Sequence, residues 1–288
     1  MEEFKNWVET ILPSEPWIRA LYAGLFTWAL TALGASLVFL FKDASRKVLD
    51  ICLGFTGGVM IAASFWSLLA PSIHYGEAQI ELGLSNTPAF IPPAIGFFLG
   101  AAFLYWLDKK IPHMHFFQKK TEGTNEKSVK WNKTILLVLA IAIHNIPEGL
   151  AVGVMFGALE HDFLTGGDSI FTLGSAIALG IGIGIQNFPE GFAVSMPLRR
   201  QGVSRWKSWQ WGQLSAIVEP IFAVIGALLV VQFLPILPYA LSFAAGAMIF
   251  IVVEEVIPES QSGGNNDLAT MGLVAGFIVM MILDVSLG

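Results

Sequence analysis

Eight stretches of this chain are each about 20 residues of nearly unbroken apolar sequence, the length an α-helix needs to cross a hydrocarbon core roughly 30 Å thick. They cover approximately residues 17–41, 49–71, 88–107, 134–158, 170–197, 208–232, 239–257 and 267–287. Hydrophobic residues make up 55% of the chain and charged ones only 13%, with a mean hydropathy of +0.66, whereas soluble domains carry about 25% charged residues. The fold class that follows is all-α: a polytopic membrane protein with eight transmembrane helices, one integral domain over residues 1–288 embedded in the lipid bilayer. No nucleic-acid partner is expected. The single cysteine, Cys52, excludes an intramolecular disulfide and a multi-thiolate metal site. The opening MEEFKNWVETILPSEP is acidic where a secretory signal has a basic stretch, so the first apolar segment is expected to remain as a span.

The gaps between spans hold the turn and charge signals. PSIHYGEAQIELGLSNTP, DKKIPHMHFFQKKTEGTNEKSVKWNK and PESQSGGNND read as connections, and the lysine-rich one, about 108–133, is expected to be a mobile cytoplasmic loop. Its His113 and His115 offer imidazoles to a passing metal, although loop histidines are more often inert. Fourteen of the sixteen Lys and Arg fall after spans 1, 3 and 5, as in Lys42, Arg46 and Lys47, then Lys109 and Lys110, then Arg199, Arg200, Arg205 and Lys207. By the positive-inside rule these connections are cytoplasmic. The expected placement is therefore the cell (inner) membrane, multi-pass, with both termini outside. The outer connections carry Glu77, Glu81, Glu160, Asp162 and Asp168 and no basic residue. Trp131, Trp206, Trp209 and Trp211 fit an aromatic belt on the inner side.

With most charges in loops, those left inside spans stand out: His144, Glu148, Glu190, Glu219, Glu254, Glu255 and Asp284. A charge at the bilayer centre costs at least about 2.5–3.5 kcal/mol on insertion scales. No Lys or Arg lies inside spans 4 to 7, so a bound cation, protonation or a hydrated cavity must offset that cost. His144, Asn145 and Glu148 share one helical face by their spacing of three and four. Gln186, Asn187 and Glu190 repeat the pattern 42 residues later, in HNIPEGLAVG and QNFPEGFAVS. Pro147 and Pro189 cannot donate to the carbonyls of Ile143 and Ile185 and should kink each helix there. Bare carbonyls at membrane depth are tolerated where they line a cavity or are otherwise satisfied, and Gly149 and Gly191 let helices approach closely. Interrupted helices at matching places in two halves of a chain point to a transporter's binding site. Two unrelated polar kinks are the bland alternative, and the matched donors argue against it.

At these residues the sequence resembles the ZIP (Zrt/Irt-like) family of divalent-metal transporters, most closely its bacterial GufA-like branch. LGFTGGVMIAASFWSLLAP, both PEG segments, IVEP, GAMIFIVVEEVIPE and MGLVAGFIVMMILD carry the resemblance, which runs from about residue 45 to the C-terminus. It implies a two-metal centre between spans 4, 5 and 6, with ligands from His144, Asn145, Glu148, Gln186, Asn187, Glu190 and Glu219. Met60 matches a thioether position beside the first metal, although packing filler describes a methionine there equally well. Ser67 and His74 match an outer approach path, and Glu254 and Glu255 an inner release path. The resemblance also implies a homodimer, and an elevator in which spans 1, 4, 5 and 6 slide against 2, 3, 7 and 8. Gly149, Ala151, Gly153, Gly180, Gly182 and Gly184 would ease such sliding, or serve static packing. Asn187 stands where relatives often have Asp, and His74 where a carboxylate occurs. Three ionised glutamates against one divalent ion leave a charge of −1, and against two ions +1. One well-held metal at His144, Glu148, Gln186 and Glu190 is therefore expected beside a weaker position near Asn145, Asn187 and Glu219.

The implied activity is transport of divalent transition-metal cations into the cytoplasm. Oxygen donors with one imidazole suit Zn²⁺, Mn²⁺ or Fe²⁺ and offer no thiolate for Cu⁺. Zinc comes first as bound substrate, with Cd²⁺ as a surrogate, and no cofactor is expected. Metal entry releases protons from the ligands, so uptake is expected to depend on pH. The chain is not expected to be an enzyme: an intramembrane metalloprotease needs a HExxH-type site, and none is present. A carrier of organic solutes would not need this cluster, and nothing resembles a signalling domain.

Overall fold

The computed structural model describes residues 15–41, 44–110, 113–115, 120–122, 133–159, 170–200 and 202–287. Eight long helices run through them: α1 Pro16–Phe39, α2 Arg46–Glu81, α3 Ile91–Lys110, α4 Lys133–Ala158, α5 Leu173–Arg200, α6 Arg205–Gln232, α7 Leu237–Gln261 and α8 Asn266–Leu287. Seven are long and apolar enough to cross a membrane. The eighth, α5, is 28 residues long, and its hydropathy is lowered by Gln186, Asn187, Glu190 and repeated glycines. All eight expected spans are thus helices, with shifted ends. In the connection expected at 108–133, β1 (His113–His115) pairs antiparallel with β2 (Lys120–Glu122), His113 opposite Glu122. The rest of that connection and the outer Glu160, Asp162 and Asp168 lie outside the described residues.

The largest departure is at α2. The segment beginning PSIHYGEAQIE reads as a gap, yet the helix continues through it to Glu81, for 36 residues in all. Pro71 sits in the first turn of the resumed α-helical stretch, directly after a widened turn of the same helix. The stop comes only at Gly83, whose φ of 69° suits a residue without Cβ. There Leu84 N–H bonds the Gln79 carbonyl at 2.9 Å, the closing bond of a Schellman turn. At about 1.5 Å per residue, α2 therefore outruns the hydrocarbon core by several turns.

Two helices widen into a π-type turn: α2 over Ser64–Leu69 and α7 over Val252–Val256. Each turn is followed two residues later by a proline, Pro71 or Pro258. The missing proline N–H releases the carbonyl four residues back, Ser67 or Glu254, and the widened turn absorbs the fault. In α6 the interruption is complete: the helix stops at Leu214, turns over 215–217 and resumes at Val218. Pro220 has no N–H for the Ala216 carbonyl, which instead accepts from Glu219 N–H at 3.0 Å.

The helices pack most heavily in two groups. In one, α1 lies against α5 and α6, and α4 against α6; in the other, α2 lies against α8 and α3 against α7. Lighter contacts of α2 with α5, α4 with α7 and α5 with α8 join the groups. Glycines define the division sharply. A Cβ on Gly24, Gly34, Gly149, Gly153 or Gly191 would strike backbone of a helix in the same group, as would one on Gly54, Gly58, Gly100, Gly246 or Gly276. Across the boundary, Gly182 meets only the thioether of Met280, and Gly180 has no atom within 4 Å. Of the glycines expected to ease sliding, Gly149 and Gly153 instead lock α4 to α6, and Gly184 packs on the Leu30 and Phe26 side chains of α1. Sheared backbone contacts would forbid sliding, whereas side-chain ends yield. Arg46, Lys47, Lys109, Lys110, Arg199, Arg200, Arg205 and Lys207 sit at helix ends that share one end of the bundle, where Arg46 binds the Glu259 carbonyl and the Ser262 hydroxyl, both at 2.7 Å, and Arg200 binds the Ala44 carbonyl.

Replacing Gly100, far from the charged cluster, by Val should drive α3 from the Phe243 carbonyl and lower stability by about 1–3 kcal/mol, read as a depressed Tm in detergent. Gly180→Ala, with open space around its Cβ, should leave Tm unchanged or raise it slightly.

Candidate metal centre

The two PEG segments work as matched parts. Pro147 and Pro189 lie inside α4 and α5, each loosening its helix one residue before a glutamate. Gly149 then lets the backbone of Glu219 come against α4, and Gly191 lets the Thr31 carbonyl of α1 come against α5. The first of these approaches brings the third carboxylate beside the other two. Glu219 lies in the first turn of the resumed α6 helix, where the partial positive charge of a helix N-terminus favours an anion.

Asn145, Glu148, Gln186, Asn187 and Glu219 are buried essentially completely. Gln186 Nε2 donates to Glu148 Oε1 at 2.6 Å. Asn187 Nδ2 lies 2.9 and 2.8 Å from the two oxygens of Glu219 and 3.3 Å from the Thr27 carbonyl. Asn145 Nδ2 donates to the Ser215 carbonyl at 3.1 Å, which the α6 interruption leaves free. Glu148, Glu190 and Glu219 lie close enough to repel one another, and His144 close enough to attract Glu190. Unbonded buried atoms concentrate here: Asn145 Oδ1, Glu148 Oε2, Gln186 Oε1, Asn187 Oδ1 and Glu190 Oε1. Buried oxygens without a donor are rare, and five in one cluster form a set of acceptors suited to a cation.

Among the described residues, no three of His, Cys, Asp and Glu are already gathered tightly enough to hold a metal ion. The amides of Gln186 and Asn187 are bonded to two of the carboxylates, Glu148 and Glu219. His144 Nε2 faces Glu255 Oε1 of α7 at 2.7 Å without hydrogen-bond alignment. The expected ligands of spans 4, 5 and 6 are thus brought together, and Met60 is buried on α2, one turn from the π-type turn. On the basic side of the cluster His144 and Glu255 keep 12% and 15% of their side-chain surface exposed, and Glu254 is exposed. On the opposite side Leu68, Met155, Leu179 and Ile183 are buried, and the Tyr75 and Phe171 rings meet at a tilt with centroids 6.0 Å apart.

The approach-path residues separate. Ser67 is buried and donates to Asp284 Oδ1 at 2.6 Å, whereas His74 is exposed two turns further on. Asp284 had stood out only as a residual in-span charge, and nothing in spacing pairs it with a serine 217 residues away. Thr27, Thr56 and Ser215, which contact the candidate ligands, carry no sequence signal, since each contact runs through a backbone carbonyl, their own or that of Gln186.

A family model described as ZIP Zinc transporter matches residues 118–284. The zinc transporter ZIP11 of Homo sapiens is 42% identical over 94% of this chain and 97% of its own length. The chain belongs to the ZIP family. The ZIP11 protein of Xenopus tropicalis is 41% identical over 95% of this chain and 98% of its own. The zinc transporter GufA of Myxococcus xanthus is 37% identical over 93% and 98%, in accord with the bacterial branch that the motifs indicated. ZIP membership accounts for the all-α, multi-pass membrane fold, and ZIP is a family of transporters.

Because Asn187 occupies both oxygens of Glu219, the purified protein should hold one zinc at high occupancy beside a weaker second position. Asn187→Asp should raise the second occupancy toward the first, as counted by anomalous scattering. Equal full occupancy in the unaltered protein would refute the inequality.

Proposed function

We propose that this protein carries divalent transition-metal cations across the cell (inner) membrane into the cytoplasm, with zinc as first substrate and Cd²⁺, Fe²⁺ or Mn²⁺ as further ones. The observation that carries the reading is the pair of proline-containing helices whose His144, Asn145, Glu148, Gln186, Asn187 and Glu190 converge with Glu219 in a buried acceptor-rich cluster. An aqueous cation enters such a cluster favourably only if carboxylates replace its hydration shell, and three glutamates within a bilayer supply that charge. The zinc transporters among the relatives support the choice of metal.

In this reading Glu148, Glu190, His144 and Gln186 hold the ion, Met60 lends its sulfur, and Glu219 with Asn145 and Asn187 forms the weaker side. His144 leaves Glu255 when it binds the ion, and Glu255 with Glu254 receives the ion on the basic, cytoplasmic side. Ser67, His74 and now Asp284 lie along the outer approach. Movement is a shift of the α1, α4, α5, α6 group against the α2, α3, α7, α8 group. The glycine-to-backbone contacts support it, since each stays within a group. Charge placement supports an orientation with the basic end inside.

Liposomes containing the protein should accumulate zinc, read by an internal dye, and Glu148→Ala and Glu190→Ala should each reduce the initial rate at least about tenfold, as loss of a charged ligand does. Retained uptake in both variants would refute the site. The same liposomes should take up zinc several-fold faster at about pH 7.5 than at about pH 5.5, because a ligand must be free of its proton to bind the ion. A flat profile would show that proton release is not part of binding.

A further inference from the structure

Among the described residues, two polar side-chain contacts join a helix of one group to a helix of the other. One is His144 with Glu255. The second is the hydroxyl of Thr56, on α2, which donates to the backbone carbonyl of Gln186, on α5, at 3.3 Å. From this we infer that Thr56 is a positioning residue of the transport cycle, fastening the carrier group to the frame in the conformation seen here. The inference rests on the two-group movement proposed above.

Three features set this hydroxyl apart. A helical threonine ordinarily bonds back to a carbonyl of its own helix. Thr27 and Thr31 do so, to the carbonyls of Gly24 and Thr27, as do Ser64 to Met60 and Ser215 to Gly212. Thr56 instead reaches a helix 130 residues away in sequence. It is also buried, 3% exposed, so water cannot replace its partner when the contact breaks. Its acceptor belongs to Gln186, the residue whose amide holds Glu148. Thr56 lies one turn from Met60, on the same face of α2, so the frame meets the candidate ion position through a thioether and α5 through a hydroxyl. Movement of α5 past α2 must break this bond, and among the described residues no glycine-to-backbone contact holds the two groups together in its stead.

The test measures populations directly. Spin labels at Leu99→Cys on α3 and Leu228→Cys on α6, both lipid-facing and outside the site, with Cys52→Ser, report the distance between the groups in nanodiscs by pulsed electron resonance. Two distances are expected. Thr56→Val, which keeps the shape and removes the donor, should shift their ratio about 2–10-fold away from the distance of this structure, the weight of one hydrogen bond. Thr56→Ser, which keeps the donor, should restore the original ratio. A ratio unmoved by Thr56→Val, or moved equally by Thr56→Ser, would overturn the role of the hydroxyl. A single distance with and without zinc would overturn the two-group movement itself.

Discussion

Three carboxylates must lie within a bilayer, beside one another and far from any lysine or arginine. Glu148, Glu190 and Glu219 repel one another, and the interior stretches that hold them, 134–158, 170–197 and 208–232, contain no lysine or arginine to pair with. Much of the local architecture follows from making that tolerable. Amide donors from Gln186 and Asn187 reach Glu148 and Glu219, and a helix N-terminus sits beneath Glu219. The remaining lone pairs are without a donor, and in the proposed function they are what an ion would meet. Partial satisfaction of a buried polar cluster is ordinarily destabilising. In a carrier it is useful, because a cluster content without its ion would not draw the ion from water.

The same residues that create the cluster also divide the molecule. Each PEG proline sits inside an unbroken helix and removes one N–H from it, and each PEG glycine seals that helix against a neighbour of its own group, α4 to α6 and α5 to α1. Binding chemistry and rigid-body construction therefore share a six-residue segment. Where the groups face each other, contacts are of a different kind: the Met280 thioether on Gly182, the Tyr75 ring on Phe171, and the two polar links of His144 and Thr56. Interlocked backbones resist shear, whereas thioethers and rings repack at small cost.

Much of this was legible in the amino-acid sequence. Spans announce themselves because each must be apolar for about 20 residues, and the PEG helices because a charge inside such a run has no other business there. Their mates were less visible. The α2 extension beyond residue 71 was hidden because proline and polar residues mark both a loop and a helix leaving the membrane. Asp284 and Ser67 meet through tertiary packing alone, and Thr27, Ser215 and Gln186 act through backbone carbonyls that every residue possesses. Helix-face spacing orders side chains along one element and is silent about which element faces it.

The asymmetry of the centre comes down to one atom pair. An aspartate at 187 would add a fourth carboxylate and repel Glu219, leaving both free to seek a metal. The amide of Asn187 instead donates to both oxygens of Glu219, so a second ion arriving there must displace a hydrogen bond and gains one carboxylate fewer. Gln186 imposes a milder version on the first position, since its amide rests on one oxygen of Glu148 and leaves the other unbonded. Rotation of the Gln186 amide would release Glu148 Oε1 alone, whereas Asn187 is held additionally by the Thr27 carbonyl. On the proposed reading, the difference between a readily filled and a reluctant position would lie as much in what restrains each amide as in the charge that surrounds it.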